Sequence, residues 1–207
     1  MFRRAQLVAI AVIPVVAASV IGQIATFPNL TPWYAGLVKP SFNPPNWVFA
    51  PVWTTIYVLM AFSVWRVQRL RRQSRLRRIG LTLFFVQLTL NAAWPWMFFA
   101  AHSPAIGLIN IVPQLAVIIA TVMVFMRLDL AAAIALFPLA AWVAFAAVLN
   151  YSIWSLNALP VQVNDLDAYG WPAPTSTARP RLSVASYERQ GGSSVQTSQT
   201  ELMRWRA

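Results

Sequence analysis

WVFAPVWTTIYVLMAFSVWR, Trp47 to Arg66, carries no charge before its last residue and leads into VQRLRRQSRLRR, Val67 to Arg78. A run of that length can leave water only if it hydrogen-bonds its own backbone, and at about 20 residues per crossing it reads as a transmembrane helix. Together with this run at 47–66, others of the same kind stand near residues 5–26, 79–100, 104–126 and 131–157. The expected fold is all-α, an integral membrane bundle of five transmembrane helices within residues 1–157.

Composition points the same way. The 207-residue chain is 58% hydrophobic and 10% charged, whereas about a quarter of a soluble domain is charged. Arg3 and Arg4 ahead of the first run also resemble the start of a secretory signal peptide. The run is longer than a signal core and no polar domain follows it, so it is expected to stay as a helix. Beyond residue 157 the sequence turns to Pro, Ser, Thr and Gln, as in WPAPTSTARP. Such a segment buries too little apolar surface to offset its ordering entropy, so 158–207 is expected to be a disordered tail. Trp171 and Trp205 in that tail are of a type favoured at a membrane interface.

The net charge of +11 is distributed unevenly: Arg66, Arg69, Arg71, Arg72, Arg75, Arg77 and Arg78 crowd between the second and third runs. Arginines between two spans read as a topology signal rather than a nucleic-acid site, with anionic-lipid binding as a second role. Arg3, Arg4 and Arg127 fall on the same side, and Lys39 is the one basic residue in the opposite loops of the bundle. The N-terminus is therefore expected inside a bacterial cytoplasmic membrane, with the 27–46 loop and the tail outside.

Conventional polar chemistry has little to work with. The chain has no cysteine, one histidine and no acidic pair among the apolar runs, which leaves no thiol chemistry and no expected metal site. His102 is expected to be a solvated turn residue, and Arg127 and Asp129 surface charges.

Pro14, Pro51, Pro95, Pro113 and Pro138 place one proline in each run. Each removes a backbone donor and tends to kink its helix, so a bundle splayed around a cavity is expected. The 27–46 loop combines Pro28, Pro32, Pro40, Pro44 and Pro45 with Trp33, Tyr34 and Phe42; stiff and aromatic, it reads as a lid over the outer mouth. Trp47 stands at the junction of lid and helix.

Spacing nominates a ligand site. Phe49, Trp53 and Tyr57 follow at i, i+4 and i+8 along one helical stripe. Trp142, Ala146 and Asn150 repeat that spacing as a ring, a small residue and an amide, and Asn91 stands three residues before Trp94. A few polar groups among many apolar ones is the usual constitution of a small-molecule site. Trp65, Trp96 and Trp154, near run ends, fit an interfacial belt.

The stretch WYAGLVKPSFNPPNWVFAPVWTTIY, Trp33 to Tyr57, resembles the signature of the tryptophan-rich sensory protein family, also called the translocator protein or peripheral benzodiazepine receptor (TspO/MBR) family. The resemblance continues through LNAAW, Leu90 to Trp94, and WVAFAAVLNYSIW, Trp142 to Trp154, and covers residues 5–157. It implies a five-helix bundle, often a homodimer, whose pocket opens toward the loop between the first two helices. It also implies binding of porphyrins such as protoporphyrin IX and haem as ligands, with no obligatory cofactor, and a regulatory role in tetrapyrrole metabolism or stress. Sterols and synthetic isoquinoline or benzodiazepine ligands bind many members. By the same resemblance Trp53 and Trp142 correspond to tryptophans implicated in porphyrin binding and its light-dependent degradation, so the chain is not expected to be a conventional enzyme. Rings would stack on the macrocycle while Asn91, Tyr57 or Tyr34 donate hydrogen bonds.

Two departures bear on this reading. Some relatives carry tryptophan where this chain has Ser41 and Phe42. The sterol-recognition pattern begins at Val148, Leu149 and Tyr151, but no basic residue follows in 152–157, so tight cholesterol binding is not expected. Two other functions remain open: an uncoupled transporter or exporter of tetrapyrroles, sterols or other lipophilic compounds, and a structural membrane protein whose pocket holds lipid. Relatives in outer membranes leave that location open as well.

Overall fold

The computed structural model describes residues 2–70 and 74–158. The C-terminal tail, with Trp171 and Trp205, lies outside the described residues, as do Arg71 and Arg72. Helix α1 spans Phe2–Thr26, α2 Asn46–Gln68, α3 Arg75–Pro95 and α4 Pro104–Met126; a short α5, Leu130–Ile134, precedes α6, Phe137–Ala158. A tight 3-10 turn and a kinked π turn extend α1 to Tyr34, and a π turn extends α3 to Ala100, giving five segments long and apolar enough to cross a membrane. The protein is an integral membrane protein, all-helical among its described residues.

The segments pack as a ring. α1 lies between α2 and α3, α3 packs chiefly on α4, and α4 packs on α6; α2 and α6 close the circle with the sparsest contact. Gly80 lets α3 approach α4, since a Cβ there would stand 2.9 Å from the Val124 side chain and 3.0 Å from the Phe125 ring. Phe84 and Phe125 stack alongside, with centroids 6.3 Å apart. Small residues at such crossings let van der Waals packing replace the hydrophobic drive that lipid cannot supply.

Helix ends explain two departures from the sequence reading. The arginine cluster is mostly helix rather than loop: Arg66 belongs to α2, and Arg75, Arg77 and Arg78 to the first turn of α3 behind the N-cap Ser74. Arg77 reaches back to donate to the Val67 and Gln68 carbonyls at 3.1 and 2.9 Å, tying the start of α3 to the end of α2. The fifth run is broken. Pro138 has no N–H for the carbonyl four residues earlier, and the chain restarts at Phe137 with the proline in the first turn of α6. The Ala132 carbonyl, on the short α5, accepts from the Ser63 hydroxyl at 2.7 Å.

Asp129 is also more than a surface charge. Its side chain, 12% exposed, forms a bidentate pair with Arg66, with Arg66 Nη2 2.8 Å from Oδ2. It also accepts from the Ala132 amide at 2.9 Å, capping α5. Arg66 holds the Asp129 carboxyl below the ordinary carboxylate range, mainly through the hydrogen bond, with the Ala132 amide adding to the effect.

Candidate functional site

At the loop end, opposite the arginines, the turn after α1 brings Trp33 and Tyr34 onto the π-type turn that ends the third segment. Tyr34 is buried against Phe98 and Phe99, and Trp33 meets Phe98 edge-on at 5.5 Å. The Tyr34 hydroxyl donates to Asn43 Oδ1 at 3.3 Å, and the Lys39 ammonium lies 4.6 Å from the Tyr34 ring centre. His102 is an exposed turn residue, as expected from sequence, and it has partners as well. Its ring stacks on Trp33 at 4.8 Å and bonds Asn29 Oδ1 at 2.7 Å, while its backbone takes a positive φ of 51°. The loop is tied to α6 as well: the Val38 amide donates to Asn157 Oδ1 at 3.0 Å, and Asn157 Nδ2 returns a bond to the Val38 carbonyl at 2.9 Å.

Deeper in the bundle the stripe on α2 meets α3 and α6. Trp53 and Tyr57 stack with centroids 5.4 Å apart, and the Tyr57 hydroxyl donates to Asn91 Oδ1 at 3.1 Å. Phe49 meets Trp142 edge-on at 5.8 Å, and Trp142 in turn contacts Phe145 at 5.5 Å. Asn91 is 4% exposed, yet its Nδ2 donor has no protein partner; Gln87, one turn earlier and 1% exposed, has both amide atoms unpartnered. A buried polar group without a partner is costly, so these atoms mark where a polar ligand group or a water is best received.

Asn150 has a different part. Its Oδ1 accepts from Trp94 Nε1 at 3.2 Å and its Nδ2 donates to the Pro104 carbonyl at 2.7 Å, joining α6 to the third and fourth segments. Gly107 makes room for this clamp, because a Cβ there would lie 2.7 Å from Asn150 Oδ1. Trp94 stacks on Phe98 at 4.9 Å.

The eleven residues nominated from sequence thus separate. Trp53, Tyr57 and Asn91 are joined by direct contacts, and Phe49 and Trp142 form a second pair, with the half-buried Ala146 on the Trp142 helix. Tyr34, Trp94 and Asn150 belong to the loop-end cluster with Phe98 and Phe99. Phe42 only reaches the edge, 6.3 Å from Phe145. Trp47 is 74% exposed and has no ring partner among the described residues, so the structure does not bring it to either group. Phe98, Phe99 and Phe145 were not singled out from sequence. Phe145 had a legible signal, three residues after Trp142 on the same helix; the Phe98–Phe99 pair had none beyond aromatic content.

Open space lies on the flanks of the ring. A groove of about 470 Å³ runs along the α2–α6 seam, lined by Pro51, Val52, Thr55, Ile56, Pro138 and Trp142, among others. A second of about 390 Å³ lies between α1 and α2. The space is lateral rather than the cavity expected from the prolines: the seam lies beside Pro51 inside α2 and Pro138 in the first turn of α6, and Trp142 in its wall contacts Phe49 and Phe145.

Comparisons with known proteins agree with this architecture. The model of the TspO/MBR family matches residues 10–155. The tryptophan-rich protein TspO of Chlorobaculum tepidum is 39% identical over 125 residues, covering 60% of this chain and 79% of that protein. The translocator protein of Sus scrofa is 40% identical over 126 residues, covering 60% and 75%. TspO of Archaeoglobus fulgidus is 36% identical over 151 residues, covering 71% and 94%. With the family model spanning all five crossing segments and relatives of this similarity, the chain belongs to the TspO/MBR family.

Proposed function

We propose that the protein is a membrane receptor for a flat, apolar ligand of the porphyrin class, protoporphyrin IX or haem, and that its occupancy regulates tetrapyrrole metabolism or a stress response. The observation that carries this reading is the Trp53–Tyr57 stack bonded through the Tyr57 hydroxyl to Asn91, whose Nδ2 is unpartnered, with the Phe49–Trp142 pair as a second aromatic face between α2 and α6. Indole and phenol faces suit a macrocycle, and the free amide suits a carboxylate substituent. The α2–α6 seam, with Trp142 in its wall, is where the ring yields to admit such a ligand. Two indoles beside an excited macrocycle also provide electron donors, so light with dioxygen as co-oxidant would degrade the bound porphyrin. In this reading the arginine end faces the cytoplasm and the 27–46 loop faces outward, in a bacterial cytoplasmic membrane.

Fluorescence titration of the purified protein with protoporphyrin IX tests it: tryptophan emission should quench saturably, and more weakly in Trp53→Phe and Trp142→Phe. Undiminished binding in both variants would reject the site. Illuminating the complex beside free porphyrin separates site-dependent conversion from bleaching. Proteoliposome flux abolished by Trp53→Phe would favour an uncoupled transporter instead.

A further inference from the structure

We propose that the groove between α1 and α2 binds one anionic phospholipid, its acyl chain against Val8, Val12, Val16 and Val58 and its phosphate on Arg69. The groove is independent of the α2–α6 seam. Its walls are apolar except for Tyr57, whose hydroxyl is turned to Asn91. Val8 to Val16 on α1 covers about 12 Å at the helical rise, most of a hydrocarbon leaflet of about 15 Å. All four valines remain exposed in the protein alone, so a chain lying there covers apolar surface that no helix covers.

The arginine end supplies the charge. Trp65 closes the groove, and the Arg69 guanidinium sits 4.3 Å from the centre of its ring. Of the described arginines nearest it in sequence, Arg66 is paired with Asp129 and Arg77 with the α2 carbonyls. Arg69 is exposed and has no ion pair among the described residues. A guanidinium held over an indole keeps its donor fork free for phosphate oxygens. The seam between α2 and α6 has no basic residue in its lining, so it lacks such an anchor. An apolar trough ending in one oriented cation fits a lipid with a net negative headgroup better than a neutral lipid or a bare hydrocarbon.

Native mass spectrometry tests this on the full chain, released from micelles holding equal amounts of palmitoyl-oleoyl phosphatidylglycerol and palmitoyl-oleoyl phosphatidylcholine. The expected result is one retained phosphatidylglycerol, favoured about fivefold over phosphatidylcholine, the worth of one basic residue at an anionic surface. Arg69→Gln should bring the ratio near one, while Arg75→Gln on α3 keeps it. Val58→Trp, at a groove wall 63% exposed, should lower retention of both lipids without changing the thermal unfolding temperature. Equal retention by the parent, or an unchanged preference in Arg69→Gln, overturns the proposal. So does retention of inorganic phosphate in place of lipid, or a second chain in the groove that Val58→Trp releases.

Discussion

α4 is gripped on both sides, by α3 at Gly80 and by α6 through the Asn150 clamp at Gly107, whereas α2 faces α6 across a groove that begins at Pro51 and Pro138. All four helices belong to segments long and apolar enough to cross a membrane. The difference lies in the residues at the crossing: on one side glycine lets backbones approach and an amide locks them, while on the other the facing residues include Pro51 and Pro138 and leave a groove. One side of the ring is thus a scaffold, and the other is where a ligand can be admitted without dismantling it.

Overpacking the gripped side should have the largest effect. Gly107→Val drives a side chain into Asn150 and Phe98, and should lower unfolding stability by about 3 kcal/mol, read as reduced thermal stability in detergent. A well-tolerated Gly107→Val would mean that the clamp is slack and the contrast false. Next comes the arginine end, where α2 is tied to α5. Asp129→Ala should cost about 2 kcal/mol by removing both the helix cap and the Arg66 pair.

The same group gives a pH signature. Because the folded carboxyl titrates below its ordinary range, its contribution is complete above the unfolded value. That contribution is lost as pH falls below about 4 and through the lower folded value. Thermal stability of Asp129→Asn followed across that range should show a shallower acid limb than the parent. On the open side the effects should appear in ligand affinity: Trp142→Phe should weaken protoporphyrin quenching about fivefold, near 1 kcal/mol of ring contact, with unfolding unchanged. If it unfolds the protein instead, the seam is part of the scaffold. The smallest effect is expected from Asn157→Ala, which frees the loop from α6 at a cost of about 1 kcal/mol. Hydrogen exchange at Val38 would report it.

The legible and illegible parts of the site divide in the same way. The Phe49–Trp53–Tyr57 stripe was readable because i+4 spacing fixes a shared face, and the structure keeps Trp53 and Tyr57 in contact. Trp47 looked equally aromatic yet points away, six residues before Trp53 and off that stripe. Asn150 was legible as a buried amide but not as a clamp, since its partners Trp94 and the Pro104 carbonyl are 56 and 46 residues distant. Asp129 read as a surface charge because nothing local reveals that Arg66 lies across from it.

The sequence by itself determined five membrane crossings, their boundaries to within a few residues, and the arginine-bearing end, because lipid imposes helix length and charge placement on each segment separately. Only the tertiary structure decided which apolar face of each helix meets a neighbour and which meets lipid. Both faces are apolar in a membrane, so hydrophobic periodicity does not distinguish them. The close approach at Gly80 and Gly107, the seam at Pro51 and Pro138, and the unpartnered Asn91 amide exist only once the helices are packed.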